Sequence, residues 1–503
     1  MSAKQQTPAR GKVPFGQKAA FGAGHLVLNL LPGALGILMF FLLTAFGMDP
    51  IDAGILGALP RLFDALTDPI MGFISDNTKS KWGRRRPYIF IGAILSGILF
   101  AILWQMDAES TQNYNFWYFL IFSMIFLIGN TMFATPLVGL GYEMTSDYNE
   151  RTRLMAFSQT IGQIAWMIVP WFWVIIANPD ILPLGADEIS RIAELGLSAE
   201  ETAKITTQEL QANGVRKLSI IVGVVCVVLG ILPALFCKGI DSANMENRKV
   251  INFKSLGSNV LDLFRGIVEV SKSKPFMRLC GATFLVFNGF QLVASFSYFI
   301  IVYHMFNGDF DAAGNLPAWF STITAIITAF GVIPIVSWMA NKFGKRRAFI
   351  YSTVISIIGY ILKWWGFDPE NIYLIFLPVP FMAFGLGGLF TLMMSMTADV
   401  CDLDELENGM PRKEGTFGAI YWWMVKIGQS IALFLGGLVL QLVGFDQNAA
   451  TQTAETILEL RIADIVIPSL TAGLAIWIMW KYSLNEDRAR EIKEELVARR
   501  GEL

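Results

Sequence analysis

Twelve stretches, most of them twenty or more residues long and predominantly apolar, recur along this chain. They fall at about 21–46, 54–76, 88–106, 116–142, 154–177 and 218–237, and again at 276–304, 317–340, 348–366, 373–398, 416–444 and 463–483. A helix needs roughly 20 apolar residues to cross a bilayer, whereas a barrel strand needs only about ten. Hydrocarbon leaves no partner for open backbone groups, so runs of this length are predicted to span as helices. Charged residues make up only 16% of the 503 residues, and mean hydropathy is +0.51. A soluble domain carries about 25% charge. The composition therefore excludes an ordinary soluble enzyme, and the expected fold class is an all-α membrane protein of twelve transmembrane helices in two six-helix bundles. The expected organisation is an N-terminal bundle with its tail over 1–237, a linker over 238–275 and a C-terminal bundle with its tail over 276–503.

The distribution of charge orients these spans. Of the 39 Lys and Arg residues, 31 fall on the tails and loops of one side, five on the other side, and Arg61, Lys363 and Lys426 inside spans. Cytoplasmic loops carry the excess of basic residues, so both termini are predicted to be cytoplasmic. The first twenty residues hold Lys4, Arg10, Lys12 and Lys18 but no apolar core with a cleavage site, which reads as a cytoplasmic tail rather than a signal peptide. The expected location is a plasma membrane, the bacterial inner membrane in particular. A net charge of -2 gives no reason to expect nucleic acid as a partner. The partners implied are the bilayer and a small molecule, with the chain acting as a monomer. Four cysteines on apolar or cytoplasmic stretches give no disulfide or zinc framework.

The two halves repeat each other. Trp82-Gly83-Arg84-Arg85-Arg86 lies between the second and third spans, and Phe343-Gly344-Lys345-Arg346-Arg347 between the eighth and ninth. The acidic and basic loop from Glu143 to Arg153, after the fourth span, has a counterpart in 399–413 after the tenth. Duplicated halves of this kind point to a transporter that rocks around a central site. The paired loops are expected to latch the cytoplasmic side while the transporter faces outward, with Arg84, Arg85 and Arg86 facing Glu143, Asp147, Glu150 and Arg151, and Arg346 facing Asp402. The long outer connection, 178–217, contains an acidic amphipathic stretch expected to form one or two short surface helices. The linker, with Phe253, Leu256, Leu261 and Leu263, suggests an interfacial amphipathic helix.

Charges inside the second span carry the strongest functional signal. Arg61, Asp64 and Asp68 are spaced three and four apart, which places them on one helical face. Each ionised side chain costs roughly 2.5 to 3.5 kcal/mol at a helix centre, so this face must line a polar interior. Arg61 can neutralise one carboxylate, and the other then needs a proton or a cation. Hard monovalent cations favour oxygen ligands, and Thr67 and Thr131 can add hydroxyls to the carboxylates. Sodium and a proton both satisfy this requirement, and no cofactor is implied. Lys426 lies deep in the eleventh span and needs an anionic neighbour, for which the Asp64 and Asp68 pair is the candidate. Lys363 stands beside Trp364 and Trp365 at a span end, where an aromatic belt and snorkelling account for it.

These residues also resemble a known family. The run from Arg61 to Gly72, followed by Trp82 to Pro87, is similar to the signature of the glycoside-pentoside-hexuronide:cation symporters, the melibiose-permease-like branch of the major facilitator superfamily. The similarity continues through Glu150 to Leu154, Asp399 to Leu406 and Arg412 to Gly415, leading to Lys426. The resemblance implies the major facilitator fold and alternating access driven by sodium, or in some members by protons or lithium, with sugar and cation bound between the halves. It implies cation binding at Asp64 and Asp68 with help from Thr131, and Lys426 nearby. Thr67 stands where the best known member has asparagine. Asn29, Ala134 and Gln159 replace that member's two sugar-binding aspartates and an arginine, so a galactoside does not follow.

Side chains left to hold a polar cargo are His25 and Asn29 in the first span, Gln159, Gln163 and Trp166 in the fifth, Asn288 and Gln291 in the seventh, and Tyr421 and Trp422 in the eleventh. Amides and aromatics suit sugar hydroxyls and rings, although intramembrane amides also bind helices to each other. The expected function is import of a sugar or glycoside, an acidic sugar among the options, coupled to sodium or proton entry. The alternative is a cation-coupled lysophospholipid symporter. Asp402-Leu-Asp404 and His304 to Asp309 spell short motifs found in some enzymes, but neither has the companions that catalysis needs, and no enzyme is expected.

Overall fold

The computed structural model describes residues 12–500 except 79, 108–109, 146–147, 197, 238–256, 258–260, 262–264, 267, 269 and 409–413. Among the described residues it is built from helices. Eleven of them are long and apolar enough to cross a membrane. The second span, Pro50–Asn77, has 28 residues, about 42 Å of helix, and is not among those eleven, with Asp52, Arg61, Asp64, Asp68 and Asp76 spread along its length. The chain is a multi-pass membrane protein.

The chain folds as two units. One comprises residues up to Met48 and Phe63–Val260, and the other Asp49–Leu62 and Leu261–Leu503. The division differs from the expected split in one segment, because the first half of the second span groups with the C-terminal residues. Most of the linker and Asp147, Arg412 and Lys413 lie outside the described residues, as do the side chains of Glu143, Arg151 and Arg153.

Within the first unit the third span (Arg86–Leu103) packs on the fourth (Gln112–Glu143) and the sixth (Ala199–Gly230), and the first (Phe15–Thr44) on the fifth (Tyr148–Ile168). The second unit repeats the pattern. Its ninth span (Lys345–Gly366) packs on the tenth (Val379–Asn408) and the twelfth (Ala454–Trp480), and the seventh (Lys274–Phe299) on the eleventh (Glu414–Leu442). The repeat extends to single residues. A Cβ on Gly92 would lie 2.4 Å from the backbone nitrogen of Phe133, and one on Gly359 would lie 2.3 Å from that of Met382. The third and fourth spans, like the ninth and tenth, therefore approach backbone to backbone, which only glycine permits.

Several helix ends follow from sequence. Thr111 and Thr453 accept from the backbone N–H three residues on. Ser198 and Glu201 form a reciprocal capping box that starts the sixth span. That cap changes the expected outer segment: after a short helix, Ala186–Glu194, the remaining amphipathic stretch runs straight into the span as one 32-residue helix. The fifth span passes through a 3-10 turn, Val169–Trp171, into Phe172–Ala177. The seventh ends in a wide π turn, Ile300–Met305, and the eighth, Leu316–Ile326, passes through another, Ile327–Val332, into Ile333–Phe343. All four cysteines are buried and free.

Candidate functional site

Periodicity puts Asp64 and Asp68 one turn apart on the second span. The fourth span supplies their partners. Thr131 Oγ1 donates to Asp64 Oδ1 at 2.8 Å, and Thr135 Oγ1 donates to Asp68 Oδ1 at 3.2 Å. Thr67 Oγ1 lies 3.1 Å from the Asp64 carbonyl, to which it donates, and 3.3 Å from Thr131 Oγ1. Asp64 and Thr131 are almost fully buried, at 4% and 1% exposure, and Arg61, one turn before Asp64 on the same helix, is also buried. The result is a ladder of two carboxylates and three hydroxyls, the whole of it within the first unit.

This arrangement has a definite chemistry. Each threonine offers one hydrogen and two lone pairs, so a hydroxyl that bonds a carboxylate can rotate and present oxygen to a cation instead. Five closely spaced oxygen-bearing side chains without sulfur or imidazole suit a hard ion. Thr135 was missed from the sequence. Its signal was the spacing, since it follows Thr131 by four residues and therefore shares its face.

Of the cargo candidates, the structure brings His25, Asn29 and Trp166 together. Asn29 donates through Nδ2 to the His25 carbonyl at 2.8 Å and accepts from Trp166 Nε1 at 3.1 Å. Gly162 makes this possible, because a Cβ there would sit 2.7 Å from Asn29 Nδ2. The His25 ring is buried edge-on to Phe21, and its two nitrogens find no hydrogen-bond partner among the described residues. Gln159, Gln163 and Trp166 share one exposed face of the fifth span. In the second unit Asn288 is buried and bonds its own helix at the Phe284 carbonyl, and Gln291 is half-buried. Tyr421 lies fully buried in the hydrophobic core of its unit, whereas the adjacent Trp422 is exposed and stacks on Phe390. Trp422 therefore presents aromatic surface in this conformation and Tyr421 does not. Lys426 is half-buried in the eleventh span, with Ser430 bonded to its carbonyl.

Several loop charges have other partners in this conformation. Arg346 donates to the carbonyls of Met479 and Trp480 rather than to Asp402, and Lys345 pairs with Asp399 at 2.7 Å. Arg86 likewise donates to the carbonyls of Ala234 and Leu235, the latter at 3.0 Å. In each unit an arginine of the repeated loop thus caps the end of the last membrane-spanning stretch, whose terminal carbonyls have no partner along the helix and carry the negative end of its dipole. Arg85 pairs with Asp76 at 2.6 Å, Arg84 reaches the Asp76 carbonyl at 3.4 Å, and Glu150 takes Lys18 at 2.7 Å. Lys363 also departs from expectation. It does not snorkel but is 2% exposed and ion-paired with Asp464, which a reading of neighbouring residues alone did not single out.

Residues 20–486 match the sequence model of a family described as MFS/sugar transport protein. The sodium-dependent lysophosphatidylcholine symporter 1-B of Danio rerio is 23% identical over 97% of this chain and 90% of its own. The isoprimeverose transporter of Lactiplantibacillus pentosus is 21% identical over 95% of this chain and 90% of its own. Among solved structures, a bacterial homolog of the human lysosomal transporter Spinster, in an inward-facing and unoccupied conformation, superposes with a TM-score of 0.65 at 15% identity. That match covers 96% of this chain and 99% of the other, and it establishes a shared fold.

Proposed function

We propose, from the premise that this chain belongs to the MFS/sugar transport protein family and is a cation-coupled symporter of the major facilitator superfamily, that it imports a sugar or glycoside with sodium. One observation carries the ion reading: two intramembrane carboxylates one turn apart, each accepting a hydroxyl from the same facing helix. Sodium entering the ladder takes oxygens from Asp64, Asp68, Thr67, Thr131 and Thr135, and their hydroxyl hydrogens turn away. Two near carboxylates repel each other, so a bound cation stabilises the state that holds both ionised. Binding then shifts the population toward the conformation that accepts cargo. Each sodium moving down 100 mV supplies about 2.3 kcal/mol.

The cargo reading rests on the amide and indole group of His25, Asn29 and Trp166 with Gln159 and Gln163 along the same helix, and on Asn288, Gln291 and Trp422 of the second unit. An indole face suits a sugar ring, and amides both donate to and accept from its hydroxyls. Lys426 takes part as an intramembrane cation. Arg84, Arg85, Glu150 and Asp402 serve the cytoplasmic ends as gate residues.

A second reading, lysophospholipid symport, is favoured by one observation in the second unit. An almost wholly apolar crevice of about 270 Å³ is lined by Ile55, Ala58, Leu62, Ser430, Ile431 and Phe434, a lining that suits an acyl chain. Thermal stabilisation of the purified protein by neutral glycosides, acidic glycosides and lysophosphatidylcholine, each with and without sodium, separates the readings. Stabilisation by a glycoside that sodium strengthens is the expected result. Stabilisation by lysophosphatidylcholine alone selects the second reading, and no effect of sodium on any ligand overturns the ion assignment.

A further inference from the structure

The second unit holds an intramembrane charge pair that transport by the ladder does not use. Lys363, in the last turn of the ninth span, and Asp464 on the twelfth form an ion pair in which both side chains are 1% exposed. The Lys363 ammonium also donates to Ser297 Oγ on the seventh span at 3.2 Å and sits 4.9 Å over the Phe367 ring. Arg461, one turn before Asp464, donates to the Trp364 carbonyl at 2.7 Å and stacks on its ring. His304 Nε2 lies 3.1 Å from the Phe367 carbonyl.

These contacts converge on one place. Ser297 precedes the π turn Ile300–Met305 and His304 lies inside it, so the end of the ninth span grips the seventh just before and within its wide turn. Wide turns weaken a helix locally and recur where side chains must be aimed. Gln291 lies less than two turns before Ser297 on the same helix, and Asn288 one turn before that.

Packing alone does not require charge at this crossing. The corresponding third and sixth spans of the first unit meet glycine to glycine: a Cβ on Gly97 would stand 2.5 Å from the Gly223 carbonyl oxygen. A buried ion pair is a weak source of stability, but removing one partner leaves an uncompensated charge. The pair is therefore explained by what it holds, namely the end of the seventh span.

We propose that Lys363 and Asp464 are positioning residues that act as one neutral unit, clamping the π-turn end of the seventh span so that Gln291 and Asn288 keep their aim at the cargo. This rests on the cargo reading above. The pair is neither a second coupling site nor a proton carrier, since it works only as a pair.

The test compares full-length wild type with Lys363→Met, Asp464→Asn and the double variant Lys363→Met/Asp464→Leu. Proteoliposomes are probed for uptake of isoprimeverose and of lysophosphatidylcholine, and the same preparations for melting temperature with and without sodium. Each single variant is expected to raise the KM for the carried probe by about tenfold or more, with the sodium-induced rise in melting temperature retained. The double variant is expected to return KM to within about threefold of wild type and to regain most of the lost melting temperature, because no lone charge remains. A double variant as impaired as the singles overturns the proposal by showing that the charges act separately. Single variants with unchanged KM, or with the sodium response abolished, also overturn it. Should wild type carry neither probe, the cargo reading fails for those probes. The melting pattern then decides the clamp by itself: rescue in the double variant supports it, and no rescue refutes it.

Discussion

The two units meet the same physical problem, charge inside a membrane, in different ways. In the first unit, Asp64 and Asp68 accept hydrogen bonds from Thr131 and Thr135, neutral groups that leave the carboxylates their charge. In the second, Asp464 is met by the Lys363 ammonium, which is tethered to the chain and does not exchange, with both partners sealed from solvent. On the proposed reading, the hydroxyls beside these carboxylates add neutral oxygens that a mobile cation can share. A carboxylate held by lysine already has its cation, covalently attached to the protein. On the proposed reading the contrast separates a site that exchanges an ion from one that keeps its own, with Asp in both.

This difference can be broken or sharpened by substitution. The largest effect is expected from Asp68→Asn, which removes a charge no other residue can replace: uptake measured with and without sodium should become equal, whatever exchange activity remains. Next come the single neutralisations of the closed pair, Lys363→Met and Asp464→Asn. Each should lower stability by about 3 kcal/mol, as expected for breaking a buried pair from one side, and chemical or thermal unfolding in detergent reads it directly. Thr135→Val keeps shape but deletes one hydroxyl from the ladder, and it should raise the half-saturating sodium concentration by roughly tenfold. If sodium affinity is unchanged there, Asp68 is served by other oxygens. The smallest effect belongs to Arg346→Ala, which removes a helix-end cap and should cost about 1 kcal/mol of stability. An altered balance of inward and outward states in that variant, read by cysteine accessibility, would support a latch role beyond the contacts with Met479 and Trp480.

Much of this was legible in the sequence, for stated reasons. The twelve spans and the duplicated loops were visible because apolar length and charge placement are local properties. Asp64 and Asp68 stood out because acid is costly in an apolar run. Thr135 did not, since threonine is common in spans and only its spacing from Thr131 marks it. Lys363 was misread because its neighbours, Trp364 and Trp365, describe a membrane interface, while its partner lies on a helix far along the chain. The contacts of Arg346 were not legible for a related reason: the carbonyls at the end of the twelfth span carry no residue-type signature. The start of the sixth span was readable through Ser198 and Glu201, yet the amphipathic character of the stretch obscured its continuity with the apolar run.

Binding of radioactive sodium to the purified protein, measured by equilibrium dialysis, tests the central assignment most directly. The wild type and the Lys363→Met/Asp464→Leu variant should show saturable binding of similar affinity, and Asp64→Asn and Asp68→Asn should show none. Saturable binding that survives in both aspartate variants would place the ion elsewhere and contradict the account.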